Sequence, residues 1–438
     1  MNFDQIITVV VLVAVVAALI LDRTRADVVA LCGAAALLIS GAVRPIEVQG
    51  AFASPAIIAL ASLFVIAYAM ELSGLLDAAI RRSVALCQRI GATGLWLLIG
   101  LSGAASAFLN NTPIVVMGAP VVRDVALRLG LSPKRFLMPL SYMAVLGGCC
   151  TLIGTSTNLL VNDMASISGQ PRFGIFEIAP VGLAVAVVGA VYLLFASKRL
   201  LSAGTGEEAT APAVGDPHLH DPDFHHAQLG SADLFVEGHP LKPWKALVAI
   251  AVFIAVIVLA ALDIAPIAAA AFTGAVLLIV LRVISADDAY QGLRPEILIL
   301  IAGMVVLGIA LEETGLASAA TGAMVGSLDS LHPLLALILL YGATLFLTEL
   351  LSNATVAVLI TPMAVALAEA LAVSPRPFLV AVMMAGSAAF ATPFGYQTNV
   401  IVFQMGGYSY MDFVRVGLPL NFITWAAAMF AIPYFFPF

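Results

Sequence analysis

Ser106-Ala107-Phe108-Leu109-Asn110-Asn111-Thr112-Pro113 is a polar, helix-breaking tract inside an apolar run from about 92 to 128. It returns 242 residues later as Thr348-Glu349-Leu350-Leu351-Ser352-Asn353-Ala354-Thr355. A second polar break follows each copy, Gly154-Thr155-Ser156-Thr157-Asn158 after the first and Gly395-Tyr396-Gln397-Thr398-Asn399 after the second. An unpaired backbone group in hydrocarbon costs several kcal/mol, so such tracts persist in apolar segments only where protein or a water-filled cavity receives them. Interrupted segments at corresponding places in two halves of a chain are the pattern of a secondary transporter with its substrate site between repeats.

The composition fits that reading. Of 438 residues, 62% are hydrophobic and 10% charged, against roughly 25% charged in soluble domains. The chain is a polytopic membrane protein, long enough for about ten spans of roughly 20 residues. The net charge of −7 says little about partners, because much of the acidity lies in one central segment. No basic surface for nucleic acid is apparent. Cys32, Cys87, Cys149 and Cys150 lie in or beside apolar segments without zinc-ligand spacing, and no disulfide is expected. The first 21 residues lack a basic leader and a clear cleavage site, and read as a retained span.

The internal match extends past the polar tracts. Met70-Glu71-Leu72-Ser73-Gly74-Leu75 parallels Leu311-Glu312-Glu313-Thr314-Gly315-Leu316, Pro120 parallels Pro362, and Ser132-Pro133 parallels Ser374-Pro375. The first half, 1–200, reads as spans near 5–21, 27–43 and 55–73, an amphipathic segment near 76–90, and a hairpin over 92–128. A discontinuous helix over 136–165 and a span near 174–197 complete it. The second half, 243–438, repeats the plan with spans near 244–261, 264–281 and 295–313, a hairpin over 332–371, a broken helix over 378–405 and a span near 416–435. Half-length helices around a polar tip suit a re-entrant hairpin. The expected fold is therefore all-α, with two inverted-topology repeats of five spans, a re-entrant hairpin and a discontinuous helix each.

Charge tests the orientation. Two re-entrant hairpins leave five crossings per half, an odd number, so the halves are oppositely oriented. With the central linker in the cytoplasm and both termini outside, sixteen of the nineteen Lys and Arg fall inside, all but Arg44, Arg172 and Arg376. That is a strong positive-inside bias, and reading either hairpin alone as a through span degrades it. The linker, 201–242, is rich in Gly, Pro, Asp and His and holds five of the six histidines, His218, His220, His225, His226 and His239. It reads as a solvated connection, with metal binding as the alternative that composition allows.

Each hairpin tip offers unpaired carbonyls from one half-helix and unpaired amides from the next. Carbonyls with Ser, Thr and Asn oxygens suit a hard cation such as Na+, and amides at a positive dipole end suit an anion. The broken helices supply further carbonyls near Gly154 and Ala391, with Asn158 and Asn399 placed to brace the breaks or reach the substrate. No Lys or Arg lies between Arg89 and Arg123 or between Arg294 and Arg376. An anion held at the tips would then need co-bound cations, which favours a symporter over a uniporter. Glu349 stands where the first copy has Ala107. It reads either as a coupling carboxylate that binds or protonates or as an acceptor bracing the hairpin. Glu71 and Glu312 mark span exits, and Cys149-Cys150 reads as packing.

Phe108-Leu109-Asn110-Asn111-Thr112-Pro113, Gly147-Gly148 through Asn158, and Leu351-Ser352-Asn353-Ala354-Thr355 resemble the divalent anion–sodium symporter family of the ion transporter superfamily. Thr392-Pro393-Phe394-Gly395-Tyr396-Gln397-Thr398-Asn399 with Asp412, Arg415 and Gly417 resembles its sulfate-type permease branch, whose central regulatory domains this linker is too short to hold. The resemblance implies a homodimer of scaffold spans and moving transport domains, an elevator cycle, and Na+ as coupling ion, with H+ as the other possibility. It implies one sodium site at Ser106, Asn110, Asn111 and Gly154 and another at Thr348, Ser352, Asn353 and Ala391. Substrate would meet Asn111 and Thr112 on one side and Asn353 and Thr355 on the other, with Asn158 and Asn399 nearby. The tips depart from the family's Ser-Asn-Thr by reading Asn-Asn-Thr and Ser-Asn-Ala. Loss of the hydroxyl at Ala354 shifts the expected substrate from a dicarboxylate towards sulfate or another compact divalent anion. Two other readings are a cation/proton antiporter or arsenite-type permease using Glu349, and an intramembrane enzyme. The latter needs a nucleophile–base pair or metal cluster, and His332 is the only histidine outside the linker. A bacterial inner membrane is the expected location.

Overall fold

A computed structural model describes residues 2–21, 24–75, 78, 90–200, 240–262, 264–316 and 332–438. These residues form eighteen helices and no strand. The first half contains α1 (Phe3–Leu21), α2 (Ala26–Ser40), α3 (Pro45–Phe52), α4 (Pro55–Leu72), α5 (Ala92–Ser106), α6 (Asn111–Arg128), α7 (Lys134–Gly148), α8 (Ser156–Ile167) and α9 (Ala179–Leu200). The second contains α10 (Pro243–Ala261), α11 (Ile267–Val280), α12 (Ala286–Gly292), α13 (Pro295–Glu313), α14 (Pro333–Thr348), α15 (Asn353–Ala370), α16 (Arg376–Ser387), α17 (Gln397–Gly406) and α18 (Tyr410–Phe435). Nearly all of the segment read at 76–90 and of the linker, with His218, His220, His225, His226 and His239, lies outside the described residues.

The helix boundaries follow local chemistry. Asn110, Thr155 and Ser352 cap α6, α8 and α15 by accepting the amides of Thr112, Thr157 and Thr355, so all four sequence breaks are helix starts and three carry a side-chain cap, α17 beginning at Gln397 without one. The short helices α3 and α12 have no counterpart in the sequence reading, because seven or eight residues are too few for an apolar period to show. Their signal is the capping pair: Ser285 and Asp288 exchange side-chain and backbone bonds of 2.9 and 3.0 Å, and Glu47 accepts the Arg44 amide at 2.8 Å.

The two halves pack reciprocally. Helix α4 lies on α11 as α13 lies on α2, and α5 lies on α7 as α14 lies on α16. Each broken helix also reaches the opposite hairpin, α8 on α15 and α17 on α6, while α9 packs on α18. Phe136 and Phe378, 242 positions apart, are both fully buried in the main apolar core. A second, smaller core joins α4 to α10, α11 and α12. Large apolar side chains such as Ile39, Phe195, Leu247 and Phe430 stay exposed on the outer surface, where a bilayer would cover them.

Backbone meets backbone where small residues permit it. A Cβ on Gly147 of α7 would land on the Gly103 carbonyl of α5. One on Gly182 of α9 would lie 2.5 Å from the Cys149 carbonyl, and one on Gly417 of α18 would overlap the Phe390 carbonyl. Cys149 caps the end of α7 and Phe390 lies in the gap just beyond α16, 241 positions apart, so α9 and α18 each press a glycine against the backbone where a broken helix ends.

By length and apolarity, five helical segments among the described residues could each cross a bilayer, and the other apolar helices are shorter. The hairpin arms run to 15–18 residues, about 22–27 Å at 1.5 Å per residue. They are longer than the half-span helices expected, so length alone does not distinguish them from crossings. What sets them apart is where they end: each tip abuts the gap in a broken helix.

Candidate functional site

At the first tip, Ser106 closes α5 and Asn111 opens α6. The Ser106 hydroxyl donates to Asn111 Oδ1, and Asn111 Nδ2 donates to the Tyr396 hydroxyl at 2.8 Å. The gap between α7 and α8 packs directly beneath. A Cβ on Gly154 would lie 2.9 Å from the Ala107 carbonyl oxygen, and one on Gly148 would lie 2.6 Å from Asn111 Oδ1 and 3.2 Å from the Gly154 carbonyl oxygen. Thr151 donates its hydroxyl to the Ala107 carbonyl and accepts the Gly154 amide at 3.2 Å. Several oxygens therefore crowd one place, and glycine keeps the gap narrow enough for that.

The second tip repeats the arrangement with different atoms. Thr348 Oγ1 lies 2.9 Å from Asn353 Oδ1 and 2.9 Å from the Gly386 carbonyl oxygen. A hydroxyl has one hydrogen, so it can donate to only one of these acceptors, and three oxygens share a single proton. Ser352 and Thr355 join hydroxyls at 2.7 Å. Asn353 Nδ2 is buried and has no partner, whereas its counterpart on Asn111 is bonded to Tyr396.

Glu349 sits beside this tip. Its Oε1 accepts the Ala391 amide and Asn421 Nδ2, each at 2.7 Å, and its Oε2 accepts the Thr392 hydroxyl at 2.8 Å. These donors come from the gap between α16 and α17 and from α18, so the carboxylate fastens hairpin, gap and final helix together. Of the two sequence readings, this geometry matches the bracing one. Ala391, read as a sodium ligand, gives its amide to Glu349 and leaves only its carbonyl for a cation.

Between the tips lies a cavity of about 400 Å³. Four helices point their N-termini at it: α6 brings Asn110 and Thr112, α8 Ser156 and Thr157, α15 Asn353 and Thr355, and α17 Gln397. Glu349 also lines it, and no Lys or Arg among the described residues does. First-turn amides lack intrahelical partners, and each N-terminus carries about half a positive charge. Such a cavity can hold an anion without any basic side chain.

The structure gathers Ser106, Asn110, Asn111 and Gly154 at one tip and Thr348, Ser352 and Asn353 at the other. Asn158 and Asn399, placed near the substrate by the resemblance, are fully buried and away from the cavity lining. Asn158 Nδ2 donates to the Thr151 carbonyl at 2.9 Å, and Asn399 Nδ2 to those of Ala389 and Thr392 at 2.8 and 3.2 Å. Their amides satisfy the carbonyls that the breaks release, which is the bracing role. The sequence reading missed Tyr396 and Gln397 as site residues. The signal was present, since they replace Thr155 and Ser156 of the first break, the largest change between the two copies. Asn421 gave no such signal. His332, which an enzyme reading would need, caps α14 by accepting the Leu334 amide at 3.2 Å. No group of three or more His, Cys, Asp or Glu is placed to hold a metal among the described residues.

Comparison with known proteins agrees with this architecture. The citrate transporter family matches residues 16–372. An uncharacterized transporter of Synechocystis is 26% identical over 95% of this chain and 95% of its own. That alignment runs to 584 positions, more than the 438 residues present here, so the relative contains segments this chain lacks. A probable sodium/sulfate cotransporter of Chlamydomonas reinhardtii is 43% identical over 111 residues, 24% of this chain and 12% of that protein. Among solved structures, the YdaH transporter of Alcanivorax borkumensis superposes with a TM-score of 0.61 at 12% identity, covering 88% of this chain and 86% of that one, a likeness of fold. With a family match that spans most of its length, the chain is a membrane transporter, not an enzyme, and belongs to the citrate transporter family.

Proposed function

We propose that the protein is a secondary active symporter that couples Na+ to a small divalent anion, sulfate or a dicarboxylate. The observation that carries this reading is the cavity walled by four helix N-termini and no basic side chain. Partial charges of the helix ends attract an anion but do not neutralise it fully, so cations bound at the tips would complete the balance and couple the two ligands. The oxygen cluster around Thr348, Asn353 and Gly386 and the one around Ala107, Asn111, Gly148 and Gly154 supply hard donors of the type Na+ takes. Ser106, Asn110, Asn111 and Gly154 are proposed for one cation. Thr348, Ser352, Asn353 and the Ala391 carbonyl are proposed for the other.

Reciprocal packing of the halves supports an inverted repeat, 1–200 and 243–438. Arg44, Arg172 and Arg376, the three exceptions to the positive-inside pattern, each pair with a carboxylate, Glu47, Asp163 and Glu177 respectively, which offsets their charge. The linker would then be cytoplasmic, with both termini outside a bacterial inner membrane. An elevator cycle in a homodimer would move the hairpins and broken helices past the scaffold. The separate core of α4 and α10–α12 supports one such scaffold unit.

The test is uptake into proteoliposomes. Labelled sulfate is expected to enter under an inward Na+ gradient and not when K+ or choline replaces Na+, and unlabelled sulfate is expected to compete better than succinate or citrate. Uptake driven by a pH gradient without Na+ would overturn the symport reading in favour of a proton-coupled exchanger. A ranking with a carboxylate above sulfate would overturn only the preference for a compact anion.

A further inference from the structure

The two tips do not present equal faces to the cavity. Asn111 and Thr112 are the first-tip residues expected at the substrate, and both are held by the opposite half. Tyr396 accepts from Asn111 Nδ2 at 2.8 Å, and Gln397 Oε1 accepts the Thr112 hydroxyl at 3.2 Å. Asn111 is almost completely buried and absent from the cavity lining, where Tyr396 and Gln397 stand instead. At the matching places the first break has Thr155 and Ser156, side chains too short to span to an opposite tip. Asn353 correspondingly meets no such cap: it lines the cavity, and its Nδ2 is buried and unpartnered.

Resting on the anion-symport reading, we infer that Tyr396 and Gln397 occupy the Asn111 and Thr112 side-chain donors of the first tip, so that the anion is gripped mainly from the second tip and the site selects a compact tetrahedral oxyanion over an extended dicarboxylate. A dicarboxylate has charge at two ends and needs donors at both. With Asn111 and Thr112 capped, the side-chain donors left at the first tip are fewer, and one carboxylate would be desolvated without a full set of partners. A tetrahedral oxyanion concentrates its charge and can be held at one place by the first turn of α15, whose Ser352, Asn353, Ala354 and Thr355 line the cavity. Tyr396 is on this reading a specificity-determining residue, acting by occupying a donor that a longer substrate would use.

The experiment compares succinate and sulfate as competitors of labelled sulfate uptake in wild type, Tyr396→Thr, and Tyr396→Thr with Gln397→Ser, which restores the first-break residues. The ratio of succinate to sulfate affinity is expected to rise about tenfold, the scale of one hydrogen bond to a charged group, with Na+ dependence kept. An unchanged ratio alongside intact Na+-dependent uptake overturns the inference and leaves the symport reading standing. Absence of Na+-dependent uptake of either anion in wild type overturns the symport reading and this inference with it. Should Tyr396→Thr not fold, Tyr396→Phe keeps the ring and removes only the hydroxyl. A smaller rise in the same direction supports the inference, and an unchanged or lower ratio overturns it.

Discussion

Replacing Asn353 with alanine is expected to lower Na+-dependent anion uptake by about a hundredfold or more while the protein remains folded, because two charge-assisted bonds are lost at once. One atom of this side chain, Oδ1, faces Thr348 in the oxygen cluster proposed for a cation. The other, Nδ2, is a buried donor without a partner. Removing both uncouples cation from anion rather than weakening either alone. Folding should be spared, since Nδ2 has no partner to lose and the Thr348 hydroxyl, which meets Oδ1, keeps the Gly386 carbonyl as an acceptor. Uptake assays with thermal unfolding of the purified protein check both halves of the expectation, and wild-type uptake in the variant would refute the site. Asn111→Ala is also expected to reduce uptake, chiefly by raising the Na+ concentration needed, because that amide bonds to Ser106 and Tyr396 rather than facing the cavity.

Gly417→Ala is expected to destabilise the protein by about 3 kcal/mol or more, at or above the upper end of ordinary overpacking. The added methyl would fall on the Phe390 carbonyl and beside the Ala391 amide, and backbone cannot swing aside as a side chain can. Two bonds hold that segment in place: Tyr142 donates its hydroxyl to the Phe390 carbonyl at 2.7 Å, and the Ala391 amide is fixed on Glu349. Moving α18 outward would in turn strain the Asn421 bond to Glu349. The strain therefore passes to the second tip, so loss of transport should accompany the fall in unfolding temperature. An unfolding temperature within a degree of wild type would show that α18 does not press on the gap this closely.

Much of this arrangement was legible in the chain because it is local. A polar tract in an apolar run has to be a helix end, and Asn110, Thr155 and Ser352 cap helices two or three residues from their own positions. The internal sequence match then supplied most local signals twice, at an offset of 240 to 242 that relates α14 to α17 to α5 to α8. The short helices α3 and α12 escaped because their information lies in capping pairs rather than periodicity. Arm length in the hairpins escaped because a polar tip marks where a helix stops but not how steeply it runs.

What sequence by itself determined is the class: an all-helical membrane transporter with paired polar breaks, its helix ends set by caps. Tertiary structure alone decided which polar atoms remain available. Asn111 and Asn353 are the same residue at matching places in the two tips, yet the Nδ2 of one is bonded to a tyrosine 285 residues away and the Nδ2 of the other has no partner. Glu349 became a brace because its donors arrive from 42, 43 and 72 residues further along. Capping acts over three or four residues and can be read in order along the chain. Hydrogen-bond satisfaction across a packed interior depends on which distant segments meet, and it is there that the two otherwise equivalent tips become different.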